Sequence, residues 1–236
     1  MTTLQEILQE QTLPGHCFSP AYYIRPDIHT GMLESRGGYR LAAFPMPLLE
    51  ALYSGLRYET GQAARVILYN CGRDWGEEFF RRFEDELSRY YNQPLQELPM
   101  GILLDSLSDL WATHGWGRLE LDFSAGDQGV VQARVRNSGF ALAARNSFGS
   151  EAASTPREPS GYLEAGVLAS LFSSLAGREL VCVQTTCESL GADCNRFLIG
   201  TAQRLHNCEE WVRKGLSHEE ILDRLTAAPA GSPQGR

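Results

Sequence analysis

Lysine is almost missing from this chain. Among its 236 residues Lys214 is the only one, so nearly all positive charge is carried by arginine. Arginine suits planar pairing with carboxylates better than lysine does, although a genome-wide composition bias explains the same pattern more simply. Positive charge is also outnumbered. With 21 Lys+Arg against 29 Asp+Glu the net charge is −8, which argues against nucleic acid as a partner, because binding a phosphate backbone needs a cationic face. No helix-turn-helix with a basic face and no phosphate-binding ATPase loop is visible. No run of about 18 apolar residues occurs, so no transmembrane helix is expected. The segment Met1 to Leu8 lacks a basic region and an apolar core, so no signal peptide is expected either. The six cysteines (Cys17, Cys71, Cys182, Cys187, Cys194 and Cys208) do not form a small-protein disulfide framework. Without an export signal, reduced thiols in a cytoplasm are the expectation. Catalytic signatures are lacking as well. There is no Gly-x-Gly-x-x-Gly opening a βαβ unit, no Ser/His/Asp or Cys/His dyad by spacing, and no internal repeat. The acids Glu77, Glu78, Glu84, Asp85 and Glu86 read as a solvated helix face.

What is present describes a globular chain long enough to bury a sizeable core, 43% hydrophobic and 21% charged. Leu4, Ile7 and Leu8 have helical spacing within residues 3–11. Ala21 to Ile24, Met32 to Glu34 and Tyr39 to Phe44 read as short strands around Pro26 to Gly31 and the Gly37-Gly38 turn. Pro47 to Tyr58 reads as a helix with Leu48, Leu49, Leu52 and Leu56 on one side. Gly61 to Tyr91 is the longest helical tract, and Gly72 and Gly76 within it leave a smooth groove for another helix or a flat ligand. Simple helix packing is the plainer of those two readings. Pro99 to His114 is a further amphipathic helix. Arg118 to Phe123 and Val130 to Arg136 flank a Gly-rich turn and form a hairpin. Val135 to Ala144 runs on as a strand or bends at Gly139. Asn146 to Ser160, with Pro156 and Pro159, is expected to be a mobile loop. Thr201 to Gly215 and Ser217 to Thr226 close the chain as two helices, and Ser217-His-Glu-Glu220 fits a capping box. Ala227 to Arg236 has the composition of a disordered tail.

Two blocks carry a resemblance. One is Gly61-Gln-Ala-Ala-Arg-Val-Ile-Leu-Tyr-Asn-Cys-Gly-Arg-Asp-Trp-Gly76. The other is a helix from Gly161, rich in small residues, followed by Val181-Cys-Val-Gln-Thr-Thr-Cys-Glu-Ser-Leu-Gly-Ala-Asp-Cys-Asn-Arg-Phe-Leu-Ile199, which reads as strand, turn and strand. In this order and separation they resemble the vinyl-4-reductase domain family over roughly residues 45–200. That family includes the bacteriochlorophyll biosynthesis J protein and the sensor domains of phenol-responsive activators. The resemblance implies an α+β fold, an antiparallel sheet packed with helices, like the ligand-binding fold shared with small subunits of vesicle-tethering complexes. It also implies a homodimer. The expected organisation is an N-terminal extension over residues 1–45, a ligand-binding domain over 46–226, and a tail.

The resemblance also implies chemistry. Some members hold zinc through the hairpin cysteines, here Cys187 and Cys194. A carboxylate shortly before the first of them is replaced here by Gln184. The preceding helix, which supplies another ligand, has Tyr162 and no cysteine. A structural zinc wants four Cys, His or carboxylate ligands, and Glu188, Asp193, Cys182 or a distant histidine would have to substitute. The plainer reading is two thiols packed at a hairpin, or a disulfide between them. A tetrapyrrole such as a chlorophyll precursor is the other implied ligand. Its walls would come from Trp75, Trp111, Trp116, Phe140, Phe148 and Phe172, with Tyr162. Its carboxylates would pair with Arg73, Arg145 or Arg157. Axial donors are His16, His29, His114, His206 and His218, with His114 first because it lies between two tryptophans. Each of these residues has a plainer role in a core or on a surface. The expected function is a tetrapyrrole carrier in pigment synthesis or photosystem assembly, cytoplasmic and peripheral to a photosynthetic membrane, with proteins of those processes as partners. A vinyl reductase using an external electron donor and a non-catalytic assembly module are the alternatives.

Overall fold

The computed structural model describes residues 17–148 and 159–227, apart from the side chains of Asn146 and Phe148. The helical spacing at residues 3–11, the stretch around Pro156 and the tail beyond Ala227 lie outside the described residues. The chain divides into two units, Met1–Pro45 with Arg81–Trp116, and Met46–Phe80 with Gly117–Arg236.

In the first unit, α1 (Pro20–Tyr23) is a single turn followed by β1 (Ile24–Asp27), β2 (Met32–Ser35) and β3 (Arg40–Leu41), paired antiparallel in that order. The sequence pattern suggested a strand from Ala21. Proline at the first helical position, with its fixed φ, instead nucleates a turn there and delays the strand to Ile24. Phe18, 1% exposed, stacks on Phe83 at 5.6 Å and meets Tyr23 edge-on at 5.2 Å. Phe83 belongs to α3 (Ala63–Tyr91), a 29-residue helix that runs through both units. Leu103, Leu107, Leu110 and Trp111 from α4 (Met100–Thr113) join this unit's buried apolar set, which also holds Leu87, Leu95 and Leu98. Glu86 was expected on a solvated face. It is buried instead, and its Oε1 accepts from Ser35 Oγ at 2.7 Å. Gly37 makes room for it, since a Cβ there would stand 3.0 Å from the Glu86 side chain.

The second unit is built on the antiparallel sheet β4-β5-β7-β6, formed by β4 (Arg118–Asp122), β5 (Val130–Arg136), β6 (Val181–Thr186) and β7 (Asn195–Gly200). The expected hairpin is present, with Glu120 opposite Arg134 and Leu121 opposite Ala133. Its Gly129 sits at φ 77°, a left-handed turn conformation that glycine adopts without strain. α2 (Met46–Thr60) opens the unit, and its predicted apolar side leaves Leu48 and Leu52 exposed. After β5 the chain does not continue as a strand but turns into α5 (Gly139–Phe148). Asn137 takes a left-handed φ of 56°, and Ser138 Oγ accepts from the Ala141 N–H at 3.0 Å, as an N-cap does. Glu188 clamps the same corner by accepting from the N–H groups of Asn137 and Ser138 at 2.8 and 3.0 Å.

α6 (Tyr162–Ala176) is the helix around which this unit packs, with every residue from Glu164 to Phe172 buried. Its small residues let it cross α3 at backbone distance. A Cβ on Gly166 would lie 2.1 Å from the Tyr69 carbonyl oxygen, and one on Gly72 would lie 2.2 Å from that of Leu163. The glycine groove of α3 is therefore filled by a helix rather than a flat ligand. The short helices α7 (Ala202–Leu205) and α8 (Cys208–Arg213) and then α9 (His218–Ala227) follow β7. Val130, Leu198, Leu205, Cys208, Ile221 and Leu225 form their shared core, against which Val181 and Val183 pack. The capping box of α9 is formed: Glu220 N–H donates to Ser217 Oγ at 3.2 Å, and Ser217 N–H to Glu220 Oε2 at 2.8 Å. Among the described residues no helix is long and apolar enough to cross a membrane.

Candidate functional site

β6 is an edge strand, and an unpaired edge exposes backbone donors and acceptors. Here side chains take up part of that edge. Just before the strand, Leu180 N–H donates to Ser173 Oγ at 2.9 Å, and Cys182 N–H makes a long contact to the Tyr69 hydroxyl at 3.4 Å. Beside this edge lies a cleft of about 460 Å³, walled by the start of α3, the start of α6, β6 and the α7–α8 segment. That volume is in the range of small-molecule sites, roughly 300–1,000 Å³. Val66, Ala165, Val181, Val183, Leu205 and Val212 supply apolar wall. The polar lining groups include Arg65, His206, Glu209 and Arg213, all exposed at the rim, and Tyr69 deeper in.

Behind the cleft the polar groups are committed to one another. Gly161 N–H donates to Gln184 Oε1 at 2.7 Å, and Gln184 Nε2 donates to Asn195 Oδ1 at 3.1 Å. Asn195, fully buried, also accepts from Glu188 N–H at 3.0 Å, and its Nδ2 donates to Glu188 Oε2 at 2.9 Å. Glu164, also fully buried, accepts from Ser138 Oγ at 2.8 Å, while its Oε2 has no hydrogen-bond partner among the described residues. Burial pushes this carboxyl up to about 8, the Ser138 bond working against it and the charge of Glu188 adding to it. Cys182, which lines the cleft, is raised well above the ordinary thiol range by burial and then by Glu164, so it is held as a thiol and is not poised as a nucleophile.

Most of the residues singled out from the sequence do not converge on this cleft; Tyr162, the axial candidate His206 and the substitute zinc ligand Cys182 line it. Trp111, His114 and Trp116 form an aromatic group in the first unit, with His114 4.6 Å from Trp116 and Trp111 5.3 Å from Trp116 by ring centroids. His114 Nδ1 lies 2.8 Å from the Leu110 carbonyl oxygen, which places the proton on Nδ1 and the lone pair on Nε2. Burial lowers its pKa, keeping it neutral at pH 7. In the second unit Trp75 meets Phe140 edge-on at 6.3 Å, Arg73 pairs with Glu179 at 3.2 Å, and Arg145 is exposed on α5. Phe148 ends α5 with its side chain outside the described residues, as are His16 and Arg157 altogether. Buried His218 is structural: Nδ1 lies 2.7 Å from Thr185 Oγ1 and Nε2 3.0 Å from Gln132 Oε1.

The cysteine hairpin does not fit zinc. Cys187 and Cys194 are both free thiols, so the disulfide alternative is not formed. Cys187 Sγ lies 3.0 Å from Ser189 Oγ and 3.5 Å from Ser160 Oγ, and Cys194 Sγ donates to Asp193 at 3.4 Å. Gln184, at the place of the expected carboxylate, is neutral and spends its side-chain amide on Gly161 and Asn195. No group of three or more His, Cys, Asp or Glu side chains among the described residues is arranged to hold a metal ion.

Sequence reasoning missed Arg65, Val66, Leu205 and Arg213, because the cleft draws on four separated segments and leaves no local motif. It missed Glu164 as well, although a lone acid in the apolar run Leu163 to Phe172 was a signal.

The fold is α+β, with antiparallel sheets and packed helices. It is similar to the phenol-responsive sensory domain of the transcription activator PoxR, solved with phenol: 17% identity over 90% of this chain and 98% of that one, TM-score 0.62. Residues 143–201 match the vinyl-4-reductase domain, so that domain is present across α6, the hairpin and β7; the block at Gly61–Gly76 lies outside the match. A vinyl-4-reductase family protein from Methanocaldococcus jannaschii is 17% identical over 67% of this chain and 82% of its own, with a TM-score of 0.41. A trafficking protein particle complex subunit 3 from Naegleria fowleri, covalently bound to palmitic acid, is 12% identical over 66% and 93%, with a TM-score of 0.46. No curated protein matches the chain.

Proposed function

We propose that this chain binds a small hydrophobic molecule in the cleft beside β6, as a carrier or sensor rather than an enzyme. The observation that carries the reading is the cleft itself, about 460 Å³ with apolar walls and its charged groups confined to the rim. The shared fold with a sensory domain solved with phenol is in keeping with it. Val66 is 56% exposed on α3 and lines the cleft, so Val66→Trp fills the space without disturbing the core. Titration with the neutral dye Nile red should give a saturable fluorescence increase in the parent protein and a several-fold weaker one in Val66→Trp. No saturable binding, or equal binding by both proteins, refutes the reading.

One observation favours a second reading, a magnesium tetrapyrrole such as a chlorophyll precursor. His114 is neutral, with Nδ1 engaged by the Leu110 carbonyl and the Nε2 lone pair left as a donor, the arrangement common for metal-ligating histidines. The half-buried Trp116, 4.6 Å from His114 by ring centroids, is the aromatic beside it, while Trp111 is fully buried in the core behind. A role with pigment-synthesis or photosystem-assembly proteins belongs to this branch alone. A shifted, saturable absorption band with protochlorophyllide, lost in His114→Ala, would establish it, and an unchanged spectrum removes it. Homodimerisation belongs to the proposal under either reading, and the exposed Leu48 and Leu52 on α2 support it.

A further inference from the structure

One face of the second unit's sheet places like charges opposite each other twice. Arg118 of β4 stands directly opposite Arg136 of β5, and Arg134 of β5 directly opposite Arg196 of β7. Residues opposite one another across strands share a face with their Cβ atoms about 5 Å apart, and like charges placed so repel. The reverse face carries the buried Leu119, Ala133, Val135 and Phe197, so the core does not call for these arginines. Arg196 is answered by Glu219 of α9. The other three share one carboxylate: Glu120 pairs with Arg134, and its Oε1 lies 3.5 Å from Arg118 Nε and 3.8 Å from Arg136 Nη1. Arg118 and Arg136 have no other partner among the described residues, and their side chains are 74% and 43% exposed. Asp193 acts on Arg136 through its field only and is hydrogen-bonded to Cys194 Sγ. Further along this face His218 of α9 meets Gln132, which leaves the three arginines facing solvent.

We infer that Arg118 and Arg136, backed by Arg134, form a binding site for a phosphate or phosphomonoester dianion. The two guanidiniums converge on the same oxygen of Glu120, so their remaining N–H groups come within reach of one tetrahedral anion. Three cations against one carboxylate leave two positive charges in excess, which a dianion neutralises and a monocarboxylate leaves half unmet. A local rule broken at a cost to the fold, with no packing gained, marks a position kept for binding. None of these residues lines the cleft beside β6, so the site is independent of the reading proposed for that cleft.

The test is thermal unfolding of the full chain at pH 7.5 and constant ionic strength, with rising inorganic phosphate, O-phosphoserine or acetate. At that pH a phosphomonoester is mostly the dianion. The same titrations are run on Arg118→Gln, Arg136→Gln and, as a control, Arg178→Gln, an exposed arginine outside the sheet. Phosphate and phosphoserine are expected to raise the Tm saturably, and acetate is not. Arg118→Gln and Arg136→Gln should each weaken phosphate by about fivefold, the worth of one exposed ion pair, and Arg178→Gln should not. Without phosphate, both sheet variants should melt at or above the parent's Tm, because each has lost a like-charged neighbour. Action at lower concentration by phosphoserine assigns the site to a phosphorylated molecule, and by inorganic phosphate to the free ion. Equal action of acetate, no saturable shift with either phosphate, or a shift unchanged in both sheet variants overturns the site. A lower Tm of both sheet variants without phosphate shows that the arginines serve the fold, and overturns it as well.

Discussion

Glu164 sits at 0% exposure in the first turn of α6, with one carboxyl oxygen bonded to Ser138 Oγ and the other without a partner among the described residues. Burial raises it from 4.5 to about 8. A group whose folded pKa lies above its unfolded value stabilises the fold fully below the unfolded pKa, and that contribution is lost as the pH rises through the folded one. The window is therefore from 4.5 to about 8, and at 1.36 kcal/mol per pH unit it amounts to about 5 kcal/mol at most. Glutamine keeps the shape and cannot ionise. Urea unfolding of the parent and of Glu164→Gln at intervals from pH 5 to 9 should show the stability difference moving in favour of the variant as the pH rises, by several kcal/mol in all. The difference is the quantity to read, because buried His114 and His218, both lowered by burial, act in the opposite sense below 6.5. Groups common to both proteins cancel. A difference that stays flat from pH 5 to 9 refutes the assignment of a neutral carboxylic acid at this position.

Gly166→Ala puts a Cβ 2.1 Å from the Tyr69 carbonyl oxygen and should cost about 3 kcal/mol or more, whereas Gly55→Ala on α2, with nothing within 4 Å, should gain about 0.5–1 kcal/mol; opposite shifts in Tm check both, and a neutral Gly166→Ala would refute the close crossing. Cys71 is exposed while Cys17, Cys182, Cys187, Cys194 and Cys208 are buried and free. An Ellman titration should therefore find one rapidly reacting thiol in the native protein and six after denaturation, and fewer than six would reveal a disulfide.

The helices and the hairpin were legible where a single periodicity ran uninterrupted. Residues 63–91 and 100–113 repeat their apolar positions at helical spacing, and Ser217 with Glu220 announces its own cap. The segment after β5 reads as a continuing strand or a bend at Gly139, because Phe140, Leu142 and Ala144 suit a strand as well as a helix; the chain bends at Asn137 and a helix starts at Gly139. What decides it is Glu188, fifty residues away, accepting from the amides of Asn137 and Ser138. Glu86 was placed on a solvated face because it follows Glu84 and Asp85, yet one step around the helix brings it to Ser35. Gln184 marked the weakness of a zinc reading in advance, since an amide is a poor substitute for a carboxylate. The cleft was not legible, because Arg65, Ala165, Val183 and Arg213 become neighbours only after the sheet and four helical segments have assembled.

The contact of Gly72 with Leu163 and of Gly166 with Tyr69 works like the stop on a caliper. Two helices already touching backbone to backbone cannot close further, so the gap between the walls they contribute is set at the crossing. Tyr69 meets Gly166 through its carbonyl and lines the cleft, and Ala165 is the next residue along α6. The bore of the cleft is thus written at positions 72 and 166, neither of which lines it. A side chain at either would widen the spacing and change which molecules fit, with every lining residue left as it was.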